Sequence, residues 1–348
     1  MAAISEINAL GQRIWLDNLS RKMLEEGDLA RHIDEGVTGL TSNPSILLKG
    51  LKGSAYYREV LQKTSRVPPE KRLESIVIPD VRDACDLFMP VFEKSGHEDG
   101  YVSMEVSPRL AFDEAGTLDD AIRLIAEVER PNLMIKVPAT REGIAAFERL
   151  TSLGININVT LIFSLHQVFH VHEAYVRGLK RFMESGGDPE SVRSVASIFL
   201  SRIDTLVDKM LDEHSGLKGK TGVSLAKIAY QRFLDIFHGP NSKLEKGHPQ
   251  KLLWASTGTK NPAYSDLLYV EPLVGKETVN TVPEATLAAF IDHGRADNTL
   301  IKDLEEAKAH FIALERAGID MEQVSIRLFE EGLKAFDEAY TDLLAMVA

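Results

Sequence analysis

The chain has 348 residues, of which 44% are hydrophobic and 26% charged, a globular balance that excludes intrinsic disorder and fibrous repeats. Lys plus Arg is 40 against 52 Asp plus Glu, a net charge of −12; this argues against nucleic-acid and membrane-surface binding and leaves anionic substrates to a local basic pocket. The lone Cys85 excludes an internal disulfide framework and a cysteine-rich zinc site.

The first residues, Met1-Ala2-Ala3-Ile4-Ser5-Glu6, lack the basic and apolar blocks of a signal peptide. No apolar run approaches the ~20 residues of a membrane span. A cytoplasmic protein is therefore expected. Short apolar runs that read as strands are Arg13–Asp17, Gly36–Leu40, Tyr101–Val106, Leu133–Val137, Ile157–Phe163, Val195–Leu200, Leu252–Ala255 and Leu267–Val270. Several are apolar on both faces, as buried parallel strands are.

Helices are expected between them. Ser20 reads as the N-cap of a helix running toward Gly36. Residues 44–100 exceed a simple strand–helix repeat, and Tyr56, Tyr57, Val60, Leu61, Ile76, Val77, Val81, Leu87 and Phe88 suit additional helices there. Thr117–Glu129 carries Leu118, Ile122 and Ile125 at helical spacing. Arg141–Leu153 carries Ile144, Phe147 and Leu150, with Gly154 at the C-cap. Ser164–Met183 and Ser201–Leu211 follow. At the C-terminus Ile326, Phe329, Leu333, Phe336, Tyr340 and Leu343 predict one amphipathic helix, packed on the barrel exterior or near its mouth. Eight strands alternating with helices predict an α/β fold, a (β/α)8 TIM barrel. We expect one domain over residues 1–348, with the barrel core at about 12–295 and a helical extension at about 300–348.

Strands of a barrel turn alternate residues inward. Leu133, Ile135 and Val137 form one face of the fourth strand, so Lys136 points inward near its C-terminal end, where barrel active sites are built. A lysine sheltered there loses hydration, which favours the neutral amine that attacks carbonyls. The other strands repeat the pattern. Trp15 and Asp17 share a face, as do Ser103 and Glu105, Asn158 and Thr160, and Ser197 and Phe199, while Thr41, Ser42 and Asn43 follow the second strand. Each of these has a bland alternative as a cap or a hydrogen-bonded core group. Their convergence at one end of a barrel points to a site. Arg202 after the sixth strand, and Ser256-Thr257-Gly258-Thr259-Lys260 after the seventh, suit a phosphate.

These segments resemble transaldolase, above all its longer bacterial subgroup. The matching pieces include Trp15-Leu16-Asp17-Asn18-Leu19-Ser20-Arg21, Gly39-Leu40-Thr41-Ser42-Asn43-Pro44-Ser45, Val102-Ser103-Met104-Glu105-Val106 and Met134-Ile135-Lys136-Val137-Pro138-Ala139-Thr140. Further along they are Asn156-Ile157-Asn158-Val159-Thr160-Leu161, Ser197-Ile198-Phe199-Leu200-Ser201-Arg202 and Trp254-Ala255-Ser256-Thr257. The resemblance implies a class I Schiff-base transferase of the pentose phosphate pathway, with no cofactor and no metal. Its partners would be sugar phosphates, with no nucleic acid and no membrane, and the chain would be a monomer or homodimer. Lys136 would form the imine. Asp17 would take the donor's C4 hydroxyl proton and keep a low or modest pKa. Glu105, with a water held by Thr160, would shuttle protons. Asn43, Thr41, Asn158, Ser197 and Phe199 would hold the substrate, and Arg202 and Ser256 its phosphate. Shorter relatives carry a second arginine just after the serine matching Ser256; here Lys260 would supply that charge.

The nearest alternative is a fructose-6-phosphate aldolase, which carries Gln and Tyr where this chain has Glu105 and Phe199 and releases free dihydroxyacetone. A metal enzyme built on His166 and His170, four apart on one helix face, lacks a neighbouring carboxylate and the His-Glu-x-x-His pattern. A non-catalytic barrel would have no use for the set Asp17, Glu105 and Lys136.

Overall fold

In the computed structural model, which describes residues 2–240 and 242–348, eight strands pair in chain order into a closed parallel barrel. They are β1 Gln12–Asp17, β2 Gly39–Thr41, β3 Val102–Glu105, β4 Leu133–Pro138, β5 Ile157–Ile162, β6 Ser194–Phe199, β7 Lys251–Ala255 and β8 Thr278–Val282. All residues of β4, β5, β6 and β8 are buried. Their outward faces lie under helices and their inward faces fill the barrel, so both sides are shielded from bulk water. The chain is thus a (β/α)8 barrel.

The eighth strand is a correction. Leu267–Val270 is turn rather than strand, and it leads into a 3₁₀ turn at Glu271–Leu273. Its apolar residues are buried because the connection itself packs into the core: Leu267, Tyr269 and Val270 are at most 2% exposed. The true strand, Thr-Val-Asn-Thr-Val, is β-branched but carries three buried polar residues, Thr281 on the inner face and Thr278 and Asn280 on the outer. On the outer face Asn280 Nδ2 donates to the Tyr269 carbonyl at 2.9 Å and Thr278 Oγ1 to the Gly275 carbonyl at 2.6 Å.

Three smaller differences have equally local causes. β2 starts later than expected because Gly36 has φ +108, and Thr41 thereby joins the strand. Gly39 is required there: a Cβ would sit 2.5 Å from the Trp15 ring nitrogen. The helix expected after Ser20 is split into Arg21–Glu25 and Asp28–Asp34 by Gly27 at φ +79. In β5 the alternation of Val159, Leu161 and Phe163 breaks at Leu161, whose φ is +61. There the pairing jumps from Val159↔Ala196 to Ile162↔Ile198, a bulge.

Residues 44–100 do form helices, Pro44–Leu51, Arg58–Lys63 and Pro69–Lys94. The last helix, Met321–Val347, crosses the mouth of the barrel and packs on Pro44–Leu51, Pro69–Lys94 and Ser201–Met210. Its buried face is rotated from the expected stripe. Val324, Leu328, Gly332, Phe336, Ala339, Leu343 and Val347 face inward, whereas Ile326 is 44% exposed. Gly332 permits the close approach, for a Cβ there would lie 3.0 Å from Leu161 and 3.7 Å from the Arg202 guanidinium.

Candidate active site

Strand register brings the inward polar residues together. Glu105 on β3 is level with Lys136 on β4, Lys136 with Asn158 on β5, and Asp17 on β1 with Thr41 on β2. Lys136 Nζ lies 2.6 Å from Glu105 Oε1 and donates to the Ser42 carbonyl at 2.7 Å. The two side chains are 6% and 11% exposed, so this is an amine shielded from bulk water and bordered by a carboxylate. Such a pair is held by geometry rather than by a large net energy, because desolvation offsets much of the attraction.

The C-terminal ends of the strands enclose a cavity of about 310 Å³. Asp17, Thr41, Asn43, Lys136, Thr160, Ser197, Phe199, Arg202, Ser256 and Lys260 all line it. Two of the expected residues do not. Asn158 lies beneath the floor with both ends of its amide engaged: Nδ2 donates to Ser103 Oγ at 3.1 Å and Oδ1 accepts from Ser197 Oγ at 2.6 Å. Glu105 borders a different, neighbouring cavity.

Asn43 combines two roles. Its Oδ1 caps the helix Pro44–Leu51 by accepting from the Ile46 N–H at 3.0 Å, with Pro44 at the first helical position. That leaves Nδ2 as the donor available to a ligand. Thr160 Oγ1 is buried and has no hydrogen-bond partner among the described residues, a polar atom placed for a water or a substrate oxygen.

Burial dominates the carboxylates. It raises the Glu105 pKa against the pull of Lys136. It also raises that of Asp17, against Lys136, a hydrogen bond from Thr41 Oγ1 at 2.8 Å, and Lys260. The low or modest pKa expected of Asp17 is thereby overturned. Enclosure by the barrel removes the water that would have stabilised its charge, and the nearby cations restore only part of it.

The basic side of the cavity is open to an anion. The half-buried Arg202 guanidinium stacks 5.4 Å over the Phe199 ring, and burial lowers its pKa. Among the described residues it has no ion pair or hydrogen bond. Ser201 Oγ and Ser256 Oγ are 2.8 Å apart, and the Ser201 N–H donates to the Ser256 carbonyl at 3.1 Å, tying the loop after β7 to the helix bearing Arg202. Lys260 Nζ lies 3.9 Å from where a Cβ of Gly258 would stand. The absence of a side chain at 258 gives the lysine room to reach back over the cavity.

A profile of the family described as Transaldolase/Fructose-6-phosphate aldolase matches residues 14–347. The chain belongs to this family. It is 50% identical over 358 residues to a protein named Transaldolase from Thiobacillus denitrificans, covering 100% of both chains. It is 46% identical over 350 residues to a Transaldolase from Neisseria gonorrhoeae, covering 99% of each. With a Transaldolase 2 from Streptomyces avermitilis the identity is 43% over 354 residues, covering 98% of this chain and 95% of the other. Transaldolase chemistry acts on sugar phosphates, and this is an enzyme of that transferase class.

Residues that sequence reasoning missed also line the transaldolase cavity. Thr281 on β8 shares a 2.7 Å hydrogen bond with Thr41 Oγ1 and so stands behind Asp17; placing the eighth strand at 267–270 concealed it. Lys49 and Phe336 complete the rim, Phe336 from the stripe already visible in the last helix. No three His, Cys, Asp or Glu side chains cluster to hold a metal among the described residues. His166 and His170 face each other at 2.9 Å, while His172 is buried against Gln250 Oε1 at 2.8 Å. No helix among the described residues is long and apolar enough to cross a membrane.

Proposed function

We propose that the chain moves a dihydroxyacetone unit from a ketose phosphate, sedoheptulose 7-phosphate or fructose 6-phosphate, to an aldose phosphate, glyceraldehyde 3-phosphate or erythrose 4-phosphate. It does so through an imine on Lys136, as one barrel domain with a helical extension, in the cytoplasm, as a monomer or homodimer. The observation that carries this reading is the shielded Lys136 amine 2.6 Å from Glu105, in a cavity shared with Asp17 and an unpaired Arg202.

Lys136 attacks the C2 carbonyl, and Glu105, whose pKa burial raises, protonates the departing hydroxyl. Thr160 holds the water. Asp17 then takes the C4 hydroxyl proton as the C3–C4 bond breaks, and the protonated imine accepts the electron pair. Asn43, Thr41 and Ser197 bind hydroxyls, Phe199 shapes the wall, and Asn158 orients Ser197. Arg202, Ser256 and Lys260 hold the phosphate. The aldehyde leaves, the acceptor enters, and the steps reverse in ping-pong order.

Borohydride reduction in the presence of fructose 6-phosphate tests the reading. A mass increase confined to Lys136 is expected; an unmodified Lys136 overturns it. Fructose-6-phosphate aldolase chemistry is the second reading, because the family profile covers both activities. Rapid release of free dihydroxyacetone without an acceptor would favour it. The relatives named Transaldolase, together with Glu105 and Phe199, support transfer.

A further inference from the structure

Two cavities flank the pair Lys136 and Glu105, Lys136 lining the substrate cavity and Glu105 the other. Behind the substrate cavity lies another of about 100 Å³, roofed by the helices Pro69–Lys94 and Met321–Val347. Ser42, Asn43 and Glu105 form the partition between them. Lys136 Nζ donates to the Ser42 carbonyl and meets Glu105 Oε1, and Asn43 borders both spaces. Glu105, however, lines only the rear cavity. Its carboxylate therefore joins the Lys136 amine to the rear cavity.

That space suits water. A cavity needs roughly 10–15 Å³ of this kind of volume for each water, together with polar partners, so several fit. Among the apolar walls Leu73, Val77 and Leu124 stand Glu74, Asp120 and Ser107. Asp120 accepts from the Ser107 N–H at 3.2 Å and from Arg123 at 2.5 Å, and Arg123 also holds Glu74 at 2.7 Å. Beside Glu70, whose side chain is 49% exposed, the cavity reaches the surface.

Imine chemistry has to handle one water in each direction. When the carbinolamine collapses, its C2–O bond breaks, the Lys136 nitrogen forms the double bond to C2, and Glu105 supplies the proton with which the hydroxyl leaves as water. At that moment the sugar phosphate fills the mouth. In hydrolysis a water adds to C2, Glu105 takes its proton, and that water's oxygen becomes the ketone oxygen.

We propose that the cavity behind Glu105 is the water port of the imine: expelled water passes Glu105 into it, mixes with solvent, and the hydrolytic water returns the same way. This rests on the Schiff-base reading above. The test is a single turnover in 18O-water with unlabelled fructose 6-phosphate and erythrose 4-phosphate, which gives a distinct seven-carbon product ketose, quenched before spontaneous exchange of the free sugars. The port requires solvent oxygen at C2 of the product ketose; retention of the donor's oxygen overturns it, because the expelled water would then have stayed at the site. Filling the port with Val77→Phe assigns the route. Borohydride-trappable adduct on Lys136 should form roughly tenfold more slowly, a part of the ~10²–10⁴-fold typical of general acid–base catalysis. Transfer from a preformed dihydroxyacetone adduct to the acceptor should keep its rate. Ser107→Met, on the other wall, gives the same readout should Val77→Phe fail to fold. Unchanged adduct formation in a folded variant overturns the port. Absence of any adduct on Lys136 in the parent enzyme removes the Schiff-base reading and the port with it, whereas adduct formation with retained oxygen removes the port alone.

Discussion

The two ends of the barrel treat charge in opposite ways. At the N-terminal end of the strands a cluster of charges is matched. Glu98 receives Arg193 at 2.6 Å, His248 at 2.8 Å and Lys251 at 3.1 Å, and Asp99 receives the Trp15 indole at 2.9 Å and Arg13 at 3.2 Å. At the C-terminal end Arg202 and Lys260 form no ion pair among the described residues, and Lys136 acts on two carboxylates lifted by burial, Asp17 and Glu105. One end ties strands together and the other waits for a ligand. In barrel enzymes the first arrangement supports stability and the second chemistry, so the two clusters should fail differently.

The sharpest way to break this contrast is Lys136→Ala. Transfer should fall by at least about 10⁴-fold, as on removal of a nucleophile, while the protein still melts in a single cooperative transition. Activity and calorimetry on one preparation check both. Next, Arg202→Ala should raise KM for phosphorylated substrates about 10–100-fold, the ~1.5–3 kcal/mol of a charged hydrogen bond, yet leave unphosphorylated glyceraldehyde as acceptor unaffected. Its counterpart at the other end, Arg193→Ala, should leave kcat unchanged and lose about 1.5 kcal/mol in denaturant titration, the worth of a charged hydrogen bond, since Glu98 keeps Lys251 and His248. A kcat loss in Arg193→Ala would erase the distinction.

A subtler test lies between the ends. Asp204 is buried, accepts from Tyr269 Oη at 2.8 Å and from the Thr221 and Gly222 N–H groups at 2.8 and 3.2 Å, and is pushed up to about 6 by burial. Its folded pKa exceeds the unfolded value, so its stability contribution is complete below about pH 4 and is lost as pH rises through about 6. Asp204→Asn should therefore gain on the parent by about 3 kcal/mol between pH 4 and pH 7, two units at 1.36 kcal/mol each. Parallel stability curves for the two proteins would count against this assignment.

Most of the site could be read from the chain because an inward lysine or glutamate stands out between apolar neighbours, as Lys136 does between Ile135 and Val137. Alternation plus strand direction then places it at the reactive end. Thr281 escaped because its strand carries buried polar residues on both faces, while the greasier Leu267–Val270 segment packs as a connection. The shift of Asp17 escaped for another reason. A residue's hydration depends on how the whole ring closes around it, and no local pattern counts the excluded waters. Nor could spacing tell that Glu105 opens onto a second hollow, since that depends on how the last helix lies across strands more than 200 positions earlier.

Gly332 fixes where that last helix lies. With no side chain of its own, it lets the helix backbone come close to the Leu161 side chain and the Arg202 guanidinium. A bulkier residue there would act as a shim, tilting the ceiling while every group that touches the sugar kept its identity. Anyone wishing to re-tailor this enzyme for longer or branched sugars should begin at a position that never meets them.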